Sequence, residues 1–242
     1  RGLGDVYKRQ VYGDSPRYNA MFVDQLTELL TNYGPVHEVW FDGANGEGPN
    51  GRRQEYDWPR FHATVRQLQP DAVMFSDAGP DIRWIGNERG FAGETNWSTI
   101  HTEGIVIGDA DTEYLNRGDP LGTEWVVPLC DTSIRPGWFH HQAEDGRVKS
   151  PQELVDLYYR SVGRNCVLLL NVPPDRRGLL HENDVAALRE MRRILDETFA
   201  TDLATGARAT ASHTRLRHRR FEPGNVTDGD PATYWATDDG VR

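Results

Sequence analysis

The acidic residue Asp42 follows the apolar run Val39-Trp40-Phe41 and precedes Gly43. A carboxylate at the end of a strand, beneath an aromatic wall, is costly to desolvate and therefore usually has a partner or a chemical task. The alternative is an aspartate that caps a turn before glycine, which is a common use of this residue. The local pattern alone leaves both interpretations open.

Acid–base chemistry on a glycosidic bond would need a second carboxyl group. Glu88, in the run Arg83-Trp84-Ile85-Gly86-Asn87-Glu88, is one candidate and lies after the next predicted strand. An exposed glutamate is more often solvated than catalytic, and spacing does not choose among the candidates. The rivals are Glu94 and Glu103 in the same loop, and Glu47 and Glu55 in the loop after Asp42.

Hydrophobic periodicity predicts alternating helices and strands around these residues. A long loop rich in glycine and aspartate is predicted after residue 76. Helices are predicted at about 18–30, 59–68, 154–162 and 185–195, and strands at 36–41, 71–76, 124–129 and 166–172, the last as a buried strand.

This alternation predicts an α/β fold with a parallel sheet and helices outside it. A (β/α)8 barrel and a doubly wound sheet both fit the order of elements. Polar and aromatic residues gather after several different strands, at 42, 77–88 and 131–141, which is where a barrel keeps its active site. No glycine-rich phosphate loop follows any predicted strand, so we favour a partial (β/α)8 TIM-type barrel.

Composition limits the possible partners. The 242 residues are 37% hydrophobic and 26% charged, as in globular proteins, and the net charge of −10 argues against nucleic acid. No apolar run approaches the roughly 18 residues of a membrane helix, so no membrane insertion is expected. Cys130 and Cys166 lie in apolar stretches without metal-ligand spacing and are predicted to be buried free thiols. The seven tryptophans and nine tyrosines fit carbohydrate binding or a core.

The two ends of the chain differ from its middle. Residues 1–10 show no periodicity and resemble the translated transposon end used in sequencing libraries, so we expect them to be artificial. We place the main domain at 11–199 and a small, polar linker at 200–212. The runs at 225–230 and 233–236 resemble the opening of a discoidin-like (F5/8 type C) carbohydrate-binding module. Residues 213–242 are therefore predicted to begin a truncated β-sandwich, and a turn-rich tail is the alternative.

The segment from Tyr12 to about Leu195 resembles the α-L-fucosidases of glycoside hydrolase family 29. The matching runs are specific and occur in the family's order. They are QLTELLTNYG (25–34), EVWFDGA (38–44), GEGPNG (46–51), SDAGPD (76–81), RWIGNE (83–88), SIRPGWF (133–139), SVGRN (161–165) and LLLNVPP (168–174).

The resemblance implies a retaining exo-α-L-fucosidase with Asp42 as nucleophile and Glu88 as acid/base. Trp138 resembles the family's aromatic contact near the sugar. Two further candidate contacts are Trp40, which could wall the fucose methyl or simply be core, and Arg83, which could hydrogen-bond the sugar or merely pair with Asp81. The GNE run is typical of the subgroup that prefers α-1,3- and α-1,4-linked fucose, and α-1,2 linkages are an alternative. Neither a metal nor a cofactor is expected, and the substrates would be fucosylated oligosaccharides or glycoconjugates.

The resemblance also implies that the first strands of the barrel, with histidines and a tryptophan that hold the sugar, are missing. We therefore expect this chain alone to be inactive and its parent to be a bacterial protein in the periplasm, secreted or on the cell surface. A catalytically inactive carbohydrate-binding barrel is the alternative function. An aldolase is disfavoured because no lysine stands at a strand end.

Overall fold

A parallel five-stranded sheet forms the centre of the protein in a computed structural model that describes residues 11–48 and 50–241. The strands run in the order β1-β2-β3-β6-β7, and β4 and β5 form a separate antiparallel pair. The strands are β1 Glu38–Trp40, β2 Val73–Ser76, β3 Ile82–Trp84, β4 Thr99–Ile100, β5 Glu124–Trp125, β6 Val127–Ser133 and β7 Val167–Asn171.

The strand order follows the chain without a reversal. Glu38 pairs with Val73, Ile82 with Val127, and Leu129 with Val167, all in parallel registers. A doubly wound sheet reverses its strand order at a switch point, whereas a barrel adds each strand beside the previous one. The topology is therefore that of consecutive barrel strands.

The strand β3 lies where the sequence predicted a loop. A turn of only five residues, 77–81, joins it to β2, and Ser76 pairs in parallel with Arg83. Gly79 adopts φ +92° in this turn, a conformation that glycine adopts without steric cost. Three residues with a buried arginine at their centre carry no periodicity, so the sequence pattern could not reveal this strand.

The predicted helices are confirmed, with starts one to three residues earlier than predicted and ends within three residues of the predicted ends. Cap residues explain two of the starts, since Asp57 accepts a hydrogen bond from the Arg60 amide and Ser150 forms a capping box with Glu153. A short helix in the predicted loop was not foreseen. The helices are α1 Ser15–Asn32, α2 Trp58–Leu68, α3 Thr112–Arg117, α4 Pro151–Ser161 and α5 Glu182–Thr198.

Helices α1 and α2 build the main apolar cluster against β1 and β2. Leu26 and Leu30 of α1 meet Phe61 and Val65 of α2, and Phe41 lies among them at 3% exposure. These residues repeat at three- and four-residue spacing along each helix, so each helix presents one apolar face to the sheet. This cluster fixes the end of β1, immediately before Asp42.

The last strand is more exposed than the sequence suggested. Val167 and Leu169 are 39% and 41% exposed, so the expectation that this strand is buried is wrong. The reason is that β7 lies at the edge of the sheet, paired only with β6 among the described strands. The expectation of buried free thiols is confirmed for both Cys130 and Cys166.

Contacts divide the chain into two compact units, with the boundary between Leu188 and Arg189, inside α5. After α5, the described residues of the second unit form short 3-10 turns at Arg215–Arg217, Arg219–Phe221 and Pro223–Val226. No strand is found among residues 200–241, so the predicted start of a β-sandwich is not shown. The prediction for residues 1–10 lies outside the described residues. None of the described helices combines the length and hydrophobicity needed to cross a bilayer.

Candidate active site

A cleft of about 370 Å³ lies at the carboxyl ends of the parallel strands. Residues on or just after β1, β2, β3 and β6 all contribute to it, as expected where parallel strands meet at one edge. Five acidic residues and two tryptophans are part of its lining, namely Asp42, Asp77, Glu88, Asp109, Asp131, Trp40 and Trp84.

Asp42 lies two residues after Trp40, the last residue of β1, and its side chain is open to the cleft. Its Oδ1 accepts a hydrogen bond of 2.9 Å from the Ala44 amide. This carboxylate therefore caps the turn through one oxygen and also lines the cleft. The two interpretations of Asp42 from the sequence are thus compatible, because a capped aspartate keeps a fixed orientation.

Glu88 is an exposed residue on the same cleft. Its rivals Glu47, Glu55, Glu94 and Glu103 are not among the described residues that line this cleft. The fold therefore brings Asp42 and Glu88 together, which sequence spacing could not establish.

Asp77 forms one wall of the cleft together with a distant loop. The Gly108 amide donates to Asp77 Oδ2 at 2.7 Å, and Gly108 packs directly on Gly43. A Cβ on Gly108 would lie 1.8 Å from the Gly43 carbonyl oxygen, so this close approach requires glycine. Burial raises the pKa of Asp77; the Gly108 hydrogen bond opposes this shift, and the charge of Asp42 adds to it.

Asp131 occupies the opposite side, on β6. It accepts a hydrogen bond of 2.7 Å from the Trp84 indole Nε1. Burial raises the pKa of Asp131; the Trp84 hydrogen bond opposes this, and the nearby charge of Glu88 raises it further. Sequence reasoning did not select Asp77 or Asp131 as site residues, although each is an acidic residue late in, or just after, a strand.

The two predicted aromatic contacts differ in their positions. Trp40 is 61% exposed, lines the cleft, and stacks on Phe75 with ring centroids 6.2 Å apart. Trp138 is 39% exposed but is not among the residues lining the cleft. The turn before it is held by Ser133 Oγ, which donates to the Gly137 carbonyl at 2.8 Å.

Arg83 does not lie in the cleft, contrary to the predicted sugar contact. Its side chain is fully buried and donates to backbone carbonyls, at 3.2 Å to Leu115 and 2.7 Å to Trp97. The suggested pairing with Asp81 is also wrong, because Asp81 is bound by Arg66 at 2.6 Å. Arg83 therefore holds the long connection between β3 and β6 in place. Burial lowers the pKa of the Arg83 guanidinium to about 10.

A second cleft, of about 530 Å³, lies among the loops after β6 and β7. Here the carboxylates are paired with cations: Asp145 with Arg135 at 2.9 Å, and Asp175 with Arg177 at 2.6 Å. The hydrogen bond from Arg177 lowers the pKa of Asp175 to about 2. This cleft is larger than the first, but its carboxylates are already neutralised.

Comparison with known proteins agrees with this geometry. The sequence profile described as alpha-L-fucosidase matches residues 3–198. Alpha-L-fucosidase 1 of Arabidopsis thaliana is 45% identical over 231 residues, which cover 95% of this chain and 45% of the plant protein.

Solved structures of the same family share the fold. The structure of SpGH29 matches with a TM-score of 0.85 and 38% identity, over 95% of this chain and 51% of that one. A Ruminococcus gnavus GH29 fucosidase solved in complex with fucose matches with a TM-score of 0.75 and 33% identity, over 93% and 47% of the two chains. The parallel sheet is thus similar to half of the barrel in these proteins.

The chain spans less than half the length of the plant relative that it matches. The family profile nevertheless covers most of the chain, and the residues it matches include Asp42 and Glu88, which both line the first cleft. The chain therefore belongs to the α-L-fucosidase family, glycoside hydrolase family 29.

Proposed function

We propose that the protein to which this chain belongs is a retaining exo-α-L-fucosidase. The observation that carries the proposal is the presence of Asp42 and Glu88 on one cleft at the carboxyl ends of the strands. Retaining glycosidases need two carboxyl groups roughly 5–5.5 Å apart, one to attack the anomeric carbon and one to protonate the leaving oxygen.

The chemistry would proceed in two steps. Asp42, held by the Ala44 amide, attacks the anomeric carbon of fucose while Glu88 protonates the departing oxygen. Glu88 then acts as a base on water, which releases fucose with retained configuration. Trp40 offers an exposed ring beside Asp42 against which the apolar face of the sugar can pack.

Two further carboxylates in the cleft, Asp77 and Asp131, have shifted pKa values. Asp77 and Asp131 both resist ionisation because they are buried and face other carboxylates. Raised pKa values of this kind, caused by burial and neighbouring charge, are common at catalytic sites, which supports the proposed role of this cleft.

Azide rescue on the full-length protein tests the two roles separately. Asp42→Ala should lower hydrolysis of an aryl α-L-fucoside about 10⁴-fold or more, and azide should restore turnover as a β-fucosyl azide. Glu88→Ala should lose about 10²–10⁴-fold, and azide should give an α-fucosyl azide. Glu94→Ala, a variant of an exposed glutamate outside the cleft, is the matched control and should retain activity.

The outcomes also decide the alternative. An Asp42→Ala variant with unchanged activity would remove Asp42 as nucleophile. A full-length protein that binds fucosylated glycans without hydrolysing them would be the carbohydrate-binding barrel instead. The first-formed anomer of fucose, observed by NMR, decides between retention and inversion.

The finer features of the proposal need their own tests. We propose a preference for α-1,3- and α-1,4-linked over α-1,2-linked fucose, which rates on matched oligosaccharides would measure. We also propose that residues 213–242 belong to a discoidin-like module and that the parent is secreted, periplasmic or on the surface of a bacterium. Because the chain spans about half of its relatives, the activity belongs to the longer protein, and these residues alone should be inactive.

A further inference from the structure

A segment of the second unit is strongly basic. The thirteen residues from 208 to 220 contain five arginines and no acidic residue, although the whole chain has a net charge of −10. Residues 216–220 are all exposed. A dense basic run in an acidic chain concentrates positive potential at one place on the surface.

Most of these arginines are not neutralised by a carboxylate. Arg215 is paired with Asp239, and Arg219 lies 3.7 Å from Glu222 while its side chain remains 93% exposed. Within the part of the chain that the structure describes, no ion pair is found for Arg217 or Arg220. Their guanidinium donors are thus available to an anion, which they can bind through two parallel hydrogen bonds.

The turn that presents them has a defined backbone. Leu216 and Arg217 adopt φ values of 51° and 50°, in the left-handed region that residues other than glycine seldom occupy. The Leu216 amide donates to Asp238 at 2.8 Å, and the Arg215 amide donates to the Ala236 carbonyl at 2.8 Å. These bonds hold a costly conformation, which is typical of a site rather than of an unconstrained tail.

Aromatic rings stand beside the arginines. Tyr234 is 49% exposed and packs on Phe221 with ring centroids 5.5 Å apart, and Arg220 lies 5.8 Å from the Phe221 ring. The Asn225 side chain donates to the carbonyls of both Arg220 and Tyr234, at 2.8 and 3.0 Å. Arginines beside an exposed aromatic side chain suit an acidic sugar. The sugar ring can pack on the aromatic face while its sulfate or carboxylate group accepts hydrogen bonds from an arginine.

We propose that the surface formed by Arg217, Arg219, Arg220 and Tyr234 binds an acidic polysaccharide through its sulfate esters or uronate carboxylates. A duplex nucleic acid fits less well, because its bases are stacked inside the helix and present no free ring face to Tyr234. The proposal is independent of catalysis, so it stands or falls separately from the proposed fucosidase activity.

Affinity electrophoresis of the full chain at increasing salt concentration tests the proposal. Four polymers are compared: dextran sulfate, polygalacturonate, neutral dextran and duplex DNA. The test variant is R217Q/R219Q/R220Q. The matched control is R17Q/R60Q/R189Q, which removes three exposed arginines elsewhere and changes the net charge equally. Y234A probes the aromatic contribution.

We expect salt-sensitive binding to dextran sulfate, polygalacturonate or both, and none to neutral dextran. The test variant should weaken it by about tenfold or more, whereas the control should change it less than about twofold. Which of the two acidic polymers binds separates sulfate from carboxylate recognition. Equal weakening in both triple variants, equal binding to neutral dextran, tighter binding to DNA, or no binding at all would each overturn the proposal.

Discussion

The two clefts of the first unit contain the same kind of residue in opposite electrostatic states. In the cleft with Asp42 and Glu88, several carboxylates line one cavity, and burial raises the pKa values of Asp77 and Asp131. In the second cleft, each carboxylate meets an arginine, and the pKa values of Asp145 and Asp175 are lowered. The second cleft therefore stabilises its carboxylates as anions, whereas the first cleft disfavours the ionisation of Asp77 and Asp131.

This difference shows why cavity size alone is a poor guide to catalysis. A carboxylate that is bound by an arginine is already stabilised as an anion, so attack on carbon or proton transfer would require that pair to break. Among the residues that the structure describes, no arginine or lysine is paired with the carboxylates that line the first cleft. Their electrostatic strain is what makes the first cleft suited to acid–base chemistry.

The largest expected effect is in the network of the second cleft. Arg135 and Asp184 are both fully buried and paired at 3.0 Å. Asp184→Asn leaves the buried arginine without this partner and should lower the free energy of unfolding by about 3–5 kcal/mol. Urea unfolding measures it. Asp131→Asn in the first cleft is the matched variant and should cost less than about 1 kcal/mol, so equal losses would contradict the comparison.

Two glycines, one in each cleft region, differ in the space available for an added Cβ atom. Gly108→Ala should cost about 2–3 kcal/mol, because φ is +90° and the new Cβ would collide with the Gly43 carbonyl oxygen. Gly178, near the second cleft, has φ +76° but no atom within 4 Å of an added Cβ, so Gly178→Ala should cost only about 1 kcal/mol. Thermal unfolding of the two variants measures the difference. Similar losses would indicate that the Gly43–Gly108 contact does not shape the cleft.

The pH dependence of stability should have opposite signs in the two clefts. The pKa of Asp77 is raised in the folded state. Its contribution to the free energy of unfolding is therefore fully present below the usual pKa of 3.8 and is lost as the pH rises through the folded-state pKa. Asp77→Asn should therefore stabilise the protein at neutral pH and show no advantage below pH 3.8. Melting curves across this range measure it, and a destabilised variant at neutral pH would contradict the assignment.

Asp175 should behave in the reverse way. Its pKa is lowered to about 2, so its stabilising contribution is present above the usual value of 3.8 and disappears as the pH falls through about 2. Asp175→Asn should melt at a lower temperature than the parent at neutral pH, by a small amount because the Arg177 pair is solvent-screened. Parent and variant should converge as the pH approaches 2. A constant difference at every pH would show that the effect is not electrostatic.

The sequence by itself determined the four longer helices and most strands of the sheet, and it marked Asp42 as a candidate nucleophile. Apolar residues in α1 and α2 repeat at helical spacing, which is a local property, and Asp42 follows an apolar strand that the cluster around Phe41 must bury. The ordered runs that resemble family 29 then implied the roles of nucleophile for Asp42 and acid/base for Glu88, which remain predictions. These inferences needed only neighbours along the chain.

The tertiary structure decided what depends on distant residues. Arg83 lies in the interior and not in the predicted sugar site. Its partners, the carbonyls of Trp97 and Leu115, come close to it only when the long connection between β3 and β6 has folded. The tertiary structure also placed Asp77 beside Gly108 and Asp131 beside Trp84, contacts that span 31 and 47 residues. Local patterns report burial and periodicity, whereas the charge state of a site depends on which residues the sheet brings to its edge.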